Sequence, residues 1–143
     1  MFRVLLPVDI NQLESRPTFI DRAIRYVKAF EGQFIVMTIM ADYSNYFVSP
    51  LLPENFIDKA KAKALESLET FTQDYIPEDL VSSFSVRHGS VHDEILAVAK
   101  EEQVDLIFLC TDRPEPVDYL LGTVAGRVIR HAPCDVVFLH SGQ

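Results

Sequence analysis

Five short apolar runs, separated by helical patterns, constrain the fold of this chain most strongly. They cover Phe2 to Val8, Phe34 to Met40, Ser82 to His88, Val104 to Cys110 and Cys134 to His140. All but the third are nearly continuous in apolar residues, which is typical of parallel strands buried on both faces. The third alternates between polar and apolar residues, so we expect it at an edge of the sheet.

Helical patterns fill the intervals between the strands. They cover Pro17 to Glu31, Glu54 to Tyr75, Ser90 to Glu102 and Val124 to His131. Alternating strands and helices require right-handed crossovers, which predicts a doubly wound α/β sheet with helices on both faces. We expect Gly32 to end the first helix as its C′ residue, and Ser90 with Asp93 to begin the third as a capping box. Leu65 and Leu68 belong to the apolar stripe of the second helix, which should pack on the sheet.

Composition limits the classes of function. The chain has 143 residues, which predicts one domain over 1–143, and a formal net charge of −8. Because no Lys/Arg cluster offsets this charge, nucleic acid and anionic membranes are not expected as partners. No segment has the roughly 18 apolar residues of a membrane span, and Met1 is followed directly by a strand rather than a signal peptide. We therefore expect a cytoplasmic protein.

Two cysteines and a pair of histidines are the residues that could suggest redox or metal chemistry. Cys110 and Cys134 lack CxxC or metal-ligand spacing, so we expect two reduced core thiols, with a redox role for Cys110 as the alternative. His88, His92 and Asp93 lie near each other in sequence but do not complete a ligand set. The sequence therefore predicts no metal centre.

The segment from Cys110 to His140 carries the most specific functional signal. After a Pro-rich turn, Gly122 permits close backbone approach and Thr123 is expected to be the N-cap of a helix whose first amides are unpaired donors. With Val-Ile-Arg-His-Ala-Pro-Cys at 128–134, this segment resembles the C-terminal signature of the universal stress protein family. The first strand, which ends in Pro7-Val8-Asp9, is similar to the family's opening strand, and the resemblance covers essentially the whole chain.

This resemblance implies a Rossmann-like, adenine nucleotide alpha hydrolase-like sheet with strand order 3-2-1-4-5. It also implies that ATP, or AMP or ADP, binds in the crevice between strands one and four, with Mg²⁺ as a further candidate ligand. The candidate nucleotide-binding residues are Pro7, Val8, Asp9, Met40, Cys110, Thr111, Arg113, Pro114, Gly122, Thr123 and Val124.

The loop after strand four departs from the usual family motif of glycine, two residues, glycine, nine residues, then glycine and Ser or Thr. Cys110 and Arg113 occupy the first two glycine positions, and eight residues separate Arg113 from Gly122. This pattern resembles a subfamily in which a short loop with Arg or Asn followed by Pro replaces the glycines. Arg113 would then supply a cation for phosphate, or pair with Glu115 in a solvated turn. Asp9 would hydrogen-bond the ribose, or else satisfy its own turn.

Two functions are consistent with these features. The first is a stress-response regulator that binds an adenine nucleotide, and the second is an interaction module of the same fold that binds none. The chain shows no nucleophile–base pair, P-loop or kinase motif, so we expect no efficient enzyme, while slow ATP hydrolysis or self-phosphorylation stays open by resemblance. Asp9 alone after strand one does not provide the acidic pair of a receiver domain, and no Ser/Thr-rich loop follows it as in flavodoxins.

The expected partners follow from the last strand. Cys134 to His140 is an apolar edge in the implied order, and relatives commonly pair this strand across a two-fold axis. The sequence therefore predicts a homodimer through strand five, with a regulatory protein as a further candidate partner.

Overall fold

The computed structural model describes residues 1–10, 19–40, 55–111 and 123–140. Five strands and four α-helices alternate, with a short 3₁₀ helix at Glu78–Leu80. The elements are β1 (Phe2–Pro7), α1 (Ile20–Ala29), β2 (Gly32–Met40), α2 (Phe56–Tyr75), β3 (Val81–His88), α3 (Val91–Glu101), β4 (Leu106–Thr111), α4 (Thr123–His131) and β5 (Asp135–His140). The strands form one parallel sheet in the order β3-β2-β1-β4-β5, which confirms the predicted α/β class and strand order.

Each face of the sheet is covered by two helices. α1 and α2 pack on one face, where Val4 and Leu6 of β1 belong to the buried cluster. α3 and α4 pack on the other, where Leu5 belongs to a second cluster. All three of these side chains have no exposed surface, so β1 is buried on both sides. This burial explains why its central residues, Val4 to Leu6, are all apolar.

The edge position of β3 is also confirmed. Ser82 and Ser83 are exposed, whereas Phe84 and Val86 pack against the α1/α2 cluster. Polar residues are tolerated here because β3 has one strand neighbour and is incompletely covered.

The end of α1 differs from the prediction. The helix ends at Ala29, and Glu31 rather than Gly32 adopts the left-handed conformation, with φ 55°. Gly32 is instead the first residue of β2. A Cβ there would lie 2.6 Å from the carbonyl oxygen of Phe2 on β1, so the glycine allows the two strands to approach closely.

Two smaller predictions are also wrong. Ser90 occupies the N-cap position of α3, but its side chain makes no capping hydrogen bond. Leu65, expected within the buried stripe of α2, is 37% exposed, whereas Ala64 and Leu68 are buried. The buried face of α2 is therefore narrower than the apolar pattern indicated.

β1 and β4 are joined firmly at their amino ends. The Arg3 N–H donates to Oδ2 of Asp105 at 2.8 Å, and the Asp105 N–H donates to the Arg3 carbonyl at 2.9 Å. The Arg3 guanidinium also donates to the carbonyl of Glu102 at 2.7 Å. The first residues of β1 are thus tied to the turn that leads from α3 into β4.

Candidate functional site

The sheet opens between β1 and β4 at its carboxyl side. β1 stays in register with β2 from Phe2 to Pro7, and β4 stays in register with β5 over its full length, to Thr111. In the described part of the chain, β1 is in register with β4 at two positions, Val4 and Leu5. The ladder between the two central strands therefore ends early, and it does so where the strand order reverses, which is where doubly wound sheets bind ligands.

Pro7 accounts for the end of the β1–β4 ladder. Backbone groups of successive strand residues point alternately to the two neighbouring strands. Arg3 is hydrogen-bonded to Asp105 on the β4 side, and the Val8 N–H donates to the carbonyl of Met37 on the β2 side at 2.8 Å. By this alternation Pro7 is turned toward β4, and proline has no N–H to donate. The crevice begins where the ladder lacks a donor.

The structure brings most of the predicted site residues to this edge of the sheet. Pro7, Val8 and Asp9 lie at the end of β1, Met40 ends β2, Cys110 and Thr111 end β4, and Thr123 and Val124 begin α4. Carboxyl ends of parallel strands share one edge, so these positions are neighbours in the fold although they are distant in sequence. Arg113, Pro114 and Gly122 were also predicted to contribute, and they lie outside the described residues.

Both helical layers contribute walls to the crevice. Val8 and Cys110 pack with the α1/α2 cluster, and Val124 packs with the α3/α4 cluster. Asp9 is exposed. The Met40 carbonyl accepts a hydrogen bond from the N–H of Gly89 at 3.1 Å, which ties the end of β2 to the end of β3. The β2 side of the crevice is therefore anchored.

The first turn of α4 carries no acidic residue. The helix includes Thr123, so Thr123 is not the N-cap residue that the sequence predicted. The first amides of a helix have no partner within it and carry a partial positive charge, which favours an anion. The start of α4 is thus electrostatically suited to a phosphate.

One contact between α3 and α4 near this edge was not predicted. Nη1 of Arg127 lies 3.1 Å from Nε2 of His92, and Nδ1 of His92 lies 3.3 Å from Oγ of Ser90. Arg127 and His92 are 35 residues apart, so no local pattern could reveal their contact. Their helices begin at the carboxyl side of the sheet, which places the pair beside the crevice.

The two thiols lie at opposite ends of the sheet. Cys110 is near the carboxyl end of β4, while Cys134 directly precedes β5 at the amino side, and both are free. Burial raises the pKa of the Cys134 thiol, and the nearby carboxylates of Asp135 and Asp105 raise it further. Cys134 is therefore held in its unreactive, protonated form.

Neither a metal centre nor a membrane span is found in the part of the chain that the structure describes. No group of three or more His, Cys, Asp or Glu residues there is arranged to hold a metal ion. Among the same residues, no helix is both long and apolar enough to cross a bilayer.

The order β3-β2-β1-β4-β5, with its crevice between β1 and β4, defines an open doubly wound α/β protein of the kind that places ligands at a topological switch point. Comparison with known families makes the assignment specific. The sequence model of the universal stress protein family matches residues 1–140, and the chain belongs to that family.

Individual relatives are distant but similar over nearly their full length. Universal stress protein G of Shigella flexneri is 24% identical over 139 residues, which is 94% of this chain and 95% of the relative. A universal stress protein family protein from Arabidopsis thaliana, crystallised with AMP bound, has 21% identity and a TM-score of 0.62, covering 99% of this chain and 93% of that one. A universal stress protein in complex with cAMP has 20% identity and a TM-score of 0.55, covering 97% and 96%.

Proposed function

We propose that this protein is a stress-response regulator that binds ATP or a related adenine nucleotide in the crevice between β1 and β4. The observation that carries the proposal is the end of the β1–β4 ladder at Pro7, on the side of the sheet where α4 begins. Two proteins of the same fold, one with AMP and one with cAMP, support the choice of ligand. The proposed activity is binding that alters shape or partners, without efficient turnover.

In this proposal the two parts of the nucleotide lie at different walls. The adenine and ribose would contact the end of β1, where Asp9 is exposed, and the end of β2 at Met40. The phosphates would lie at the start of α4, where Gly122, Thr123 and the amide of Val124 offer close approach and donors. The remaining candidates, Cys110, Thr111, Arg113 and Pro114, belong to the end of β4 and the loop after it. A bound Mg²⁺ would offset part of the phosphate charge.

Calorimetry and thermal unfolding test the proposal directly. ATP with Mg²⁺, AMP and cAMP should each be titrated, with adenosine as the ligand that lacks phosphate. Ligand at 100 times its Kd stabilises a fold by about 2.7 kcal/mol, which corresponds to a rise in Tm of roughly 5 °C for a domain of this size. If no nucleotide at millimolar concentration binds or shifts Tm, the interaction-module alternative is correct.

A pair of glycine variants tests the phosphate side of the site. Gly122→Val should abolish nucleotide binding, since a β-branched side chain would occupy the phosphate approach. Gly126→Val is the matched control, because a Cβ at position 126 meets no atom within 4 Å. Arg113→Ala should weaken binding by roughly 1–3 kcal/mol. Equal affinity in folded Gly122→Val and Gly126→Val proteins would contradict the site.

A second pair tests the adenine side and does not depend on Gly122→Val remaining folded. Asp9→Asn should weaken nucleotide binding, while Asp21→Asn, in the first turn of α1, should leave it unchanged. Circular dichroism establishes that both variants fold. If Asp9→Asn binds as tightly as the native protein, Asp9 serves only its own turn.

We also propose that the protein forms a homodimer through β5. This strand is an edge of the sheet, and an apolar edge leaves backbone groups unpaired unless another chain covers it. Ile129 on α4 is 41% exposed. It follows the buried Val128 by one residue, so it lies on the flank of α4 opposite to Arg127, which contacts α3. That flank is on the β5 side, so Ile129 would extend the edge into a larger apolar interface.

Light scattering tests this dimer. Val137→Pro and Ile129→Lys should both give a smaller species than the native chain, by removing a ladder donor and by adding a charge. Leu65→Lys, which changes an exposed apolar residue on the opposite layer, is the control and should leave the mass unchanged. A native protein that remains a monomer at all concentrations would contradict the interface.

A further inference from the structure

His92 lies between two groups that require opposite states of the same ring nitrogen. Its Nε2 is 3.1 Å from Nη1 of Arg127 on α4, and 3.2 Å from Oδ1 of Asp93 on its own helix. A guanidinium only donates hydrogen bonds, and an ionised carboxylate only accepts them. Nε2 must therefore be bare to bond with Arg127 and must carry a proton to bond with Asp93. The two hydrogen bonds exclude each other.

The other ring nitrogen does not force the choice. Nδ1 of His92 lies 3.3 Å from Oγ of Ser90, and a hydroxyl can either donate or accept. The His92 side chain is only 21% exposed, whereas that of Asp93 is 68% exposed. The ring is thus held in place, and both alternative partners of its Nε2, Arg127 and Asp93, lie within hydrogen-bond distance.

We propose that His92 is a proton-controlled link between α3 and α4. In the neutral state its Nε2 accepts a hydrogen bond from Arg127 and joins the two helices. On protonation the ring repels the guanidinium, donates to Asp93 and releases Arg127. Histidine is the side chain whose charge ordinarily changes between about pH 5 and 8, which is the chemistry that such a link requires.

Within the described residues, the charged contacts of the ring are with two groups. Asp93 meets it from α3, and Arg127 meets it from α4. The next acidic residue of α3, Glu94, lies 3.6 Å from Arg87 of β3, so the sheet contributes a paired charge rather than a free one. Arg87 also pairs with Glu101.

The link has a consequence for the nucleotide site, and this part rests on the proposed function. Arg127 lies four residues after Thr123, and helical side chains lean toward the helix N-terminus. A guanidinium released from His92 is therefore available to the phosphates proposed at the start of α4. A gain typical of one exposed charge pair predicts that ATP binds about two- to fivefold more tightly at pH 5.5 than at pH 8.

Nitrogen NMR of the ligand-free protein tests the link without any nucleotide. At pH 8, ¹⁵N shifts should show a His92 ring with its proton on Nδ1 and a bare Nε2. Arg127→Ala should move the proton to Nε2, facing Asp93, while Arg130→Ala, which removes the next arginine of α4, should not. A native ring that carries its proton on Nε2 at pH 8, and is unaffected by Arg127→Ala, would overturn the proposal.

ATP titrations at pH 8 and pH 5.5 test the consequence. His92→Gln is the matched variant, since its amide oxygen can accept from Arg127 at every pH. Acidification should tighten ATP binding to the native protein about two- to fivefold relative to His92→Gln, and the comparison cancels protonation of ATP itself. Equal pH responses would refute the coupling to the site. If neither protein binds ATP, the proposed function is wrong, and the NMR result alone decides the link.

Discussion

The two ends of the β1–β4 pair are built in opposite ways. At the amino end, Arg3 and Asp105 exchange hydrogen bonds, and the Arg3 side chain reaches the Glu102 carbonyl. At the carboxyl end, the register between the two strands stops after Leu5, and Pro7 has no N–H to donate. The same two strands are closed at one end and open at the other. A break in the ladder at the switch point thus needs no inserted segment in the sheet, because donors are present at one end and one donor is missing at the other.

The largest effect should come from crowding the amino end of β1 on its other side, at Gly32 of β2. Gly32→Ala places a Cβ 2.6 Å from the Phe2 carbonyl oxygen, so β1 and β2 must separate. We expect the free energy of unfolding to fall by about 1–3 kcal/mol. Gly126→Ala, where the Cβ meets open space within a helix, should instead raise it by roughly 0.5–1 kcal/mol. Urea denaturation measures both, and a Gly32→Ala midpoint equal to the native one would contradict the close approach.

A smaller loss should follow from removing the side-chain acceptor at the same end. Asp105→Ala leaves the Arg3 N–H without its carboxylate and should cost about 1 kcal/mol, with faster exchange of the Arg3 amide. Glu102→Ala is the control, because Arg3 contacts the carbonyl of Glu102 and that group remains. Hydrogen exchange and urea denaturation report the outcome. Equal costs for the two variants would mean that the Asp105 carboxylate does not hold this end.

Adding a donor at the open end should change local amide hydrogen exchange more than it changes the free energy of unfolding. Pro7→Ala supplies an N–H on the β4 side, and the net change in stability should stay within about 1 kcal/mol, since the unfolded chain also gains freedom. If the missing donor keeps the crevice open, the new amide should be protected from exchange. An unprotected amide at position 7 would mean that the β1–β4 ladder ends early for another reason.

The smallest effect concerns the Cys134 thiol, which precedes β5 at the amino side of the sheet. Because the pKa of Cys134 is raised above its ordinary value of 9.0, the folded state keeps this proton to higher pH than the unfolded chain does. Its stabilising contribution is therefore complete below that value and is lost as pH rises through the folded pKa. In a Cys110→Ser background, alkylation at pH 8 should be slower in the folded protein than in urea. Equal rates would show that the thiol is not shielded.

Burial explains how much of this fold the sequence could predict. β1 is covered on both faces, so its run from Phe2 to Pro7 tolerates little polarity and reveals a parallel strand. Details that depend on one backbone angle were not visible: Glu31, rather than the more permissive Gly32, takes the left-handed conformation. The close approach of Gly32 to β1 involves residues that are adjacent only after folding.

The candidate site, too, could be predicted from the sequence only in part. Its strand-end residues, such as Val8 and Cys110, were predictable because the carboxyl ends of parallel strands meet at one edge. The missing donor at Pro7 could not be predicted, since its effect depends on which neighbouring strand each N–H faces. The contact of His92 with Arg127 was not predictable either, because it joins separate helices. Gly122 and Arg113 remain predictions, since they lie outside the described residues.

The short β1–β4 ladder also makes the centre of the sheet a mechanical seam. Two register pairs cross it, against six between β1 and β2 and six between β4 and β5. A ligand that contacts both β1 and β4 would stiffen the sheet along this line without changing the fold. By the same alternation the N–H of Leu109 faces β1 beyond the last paired position, so nucleotide binding should be detected first as slower exchange of this amide.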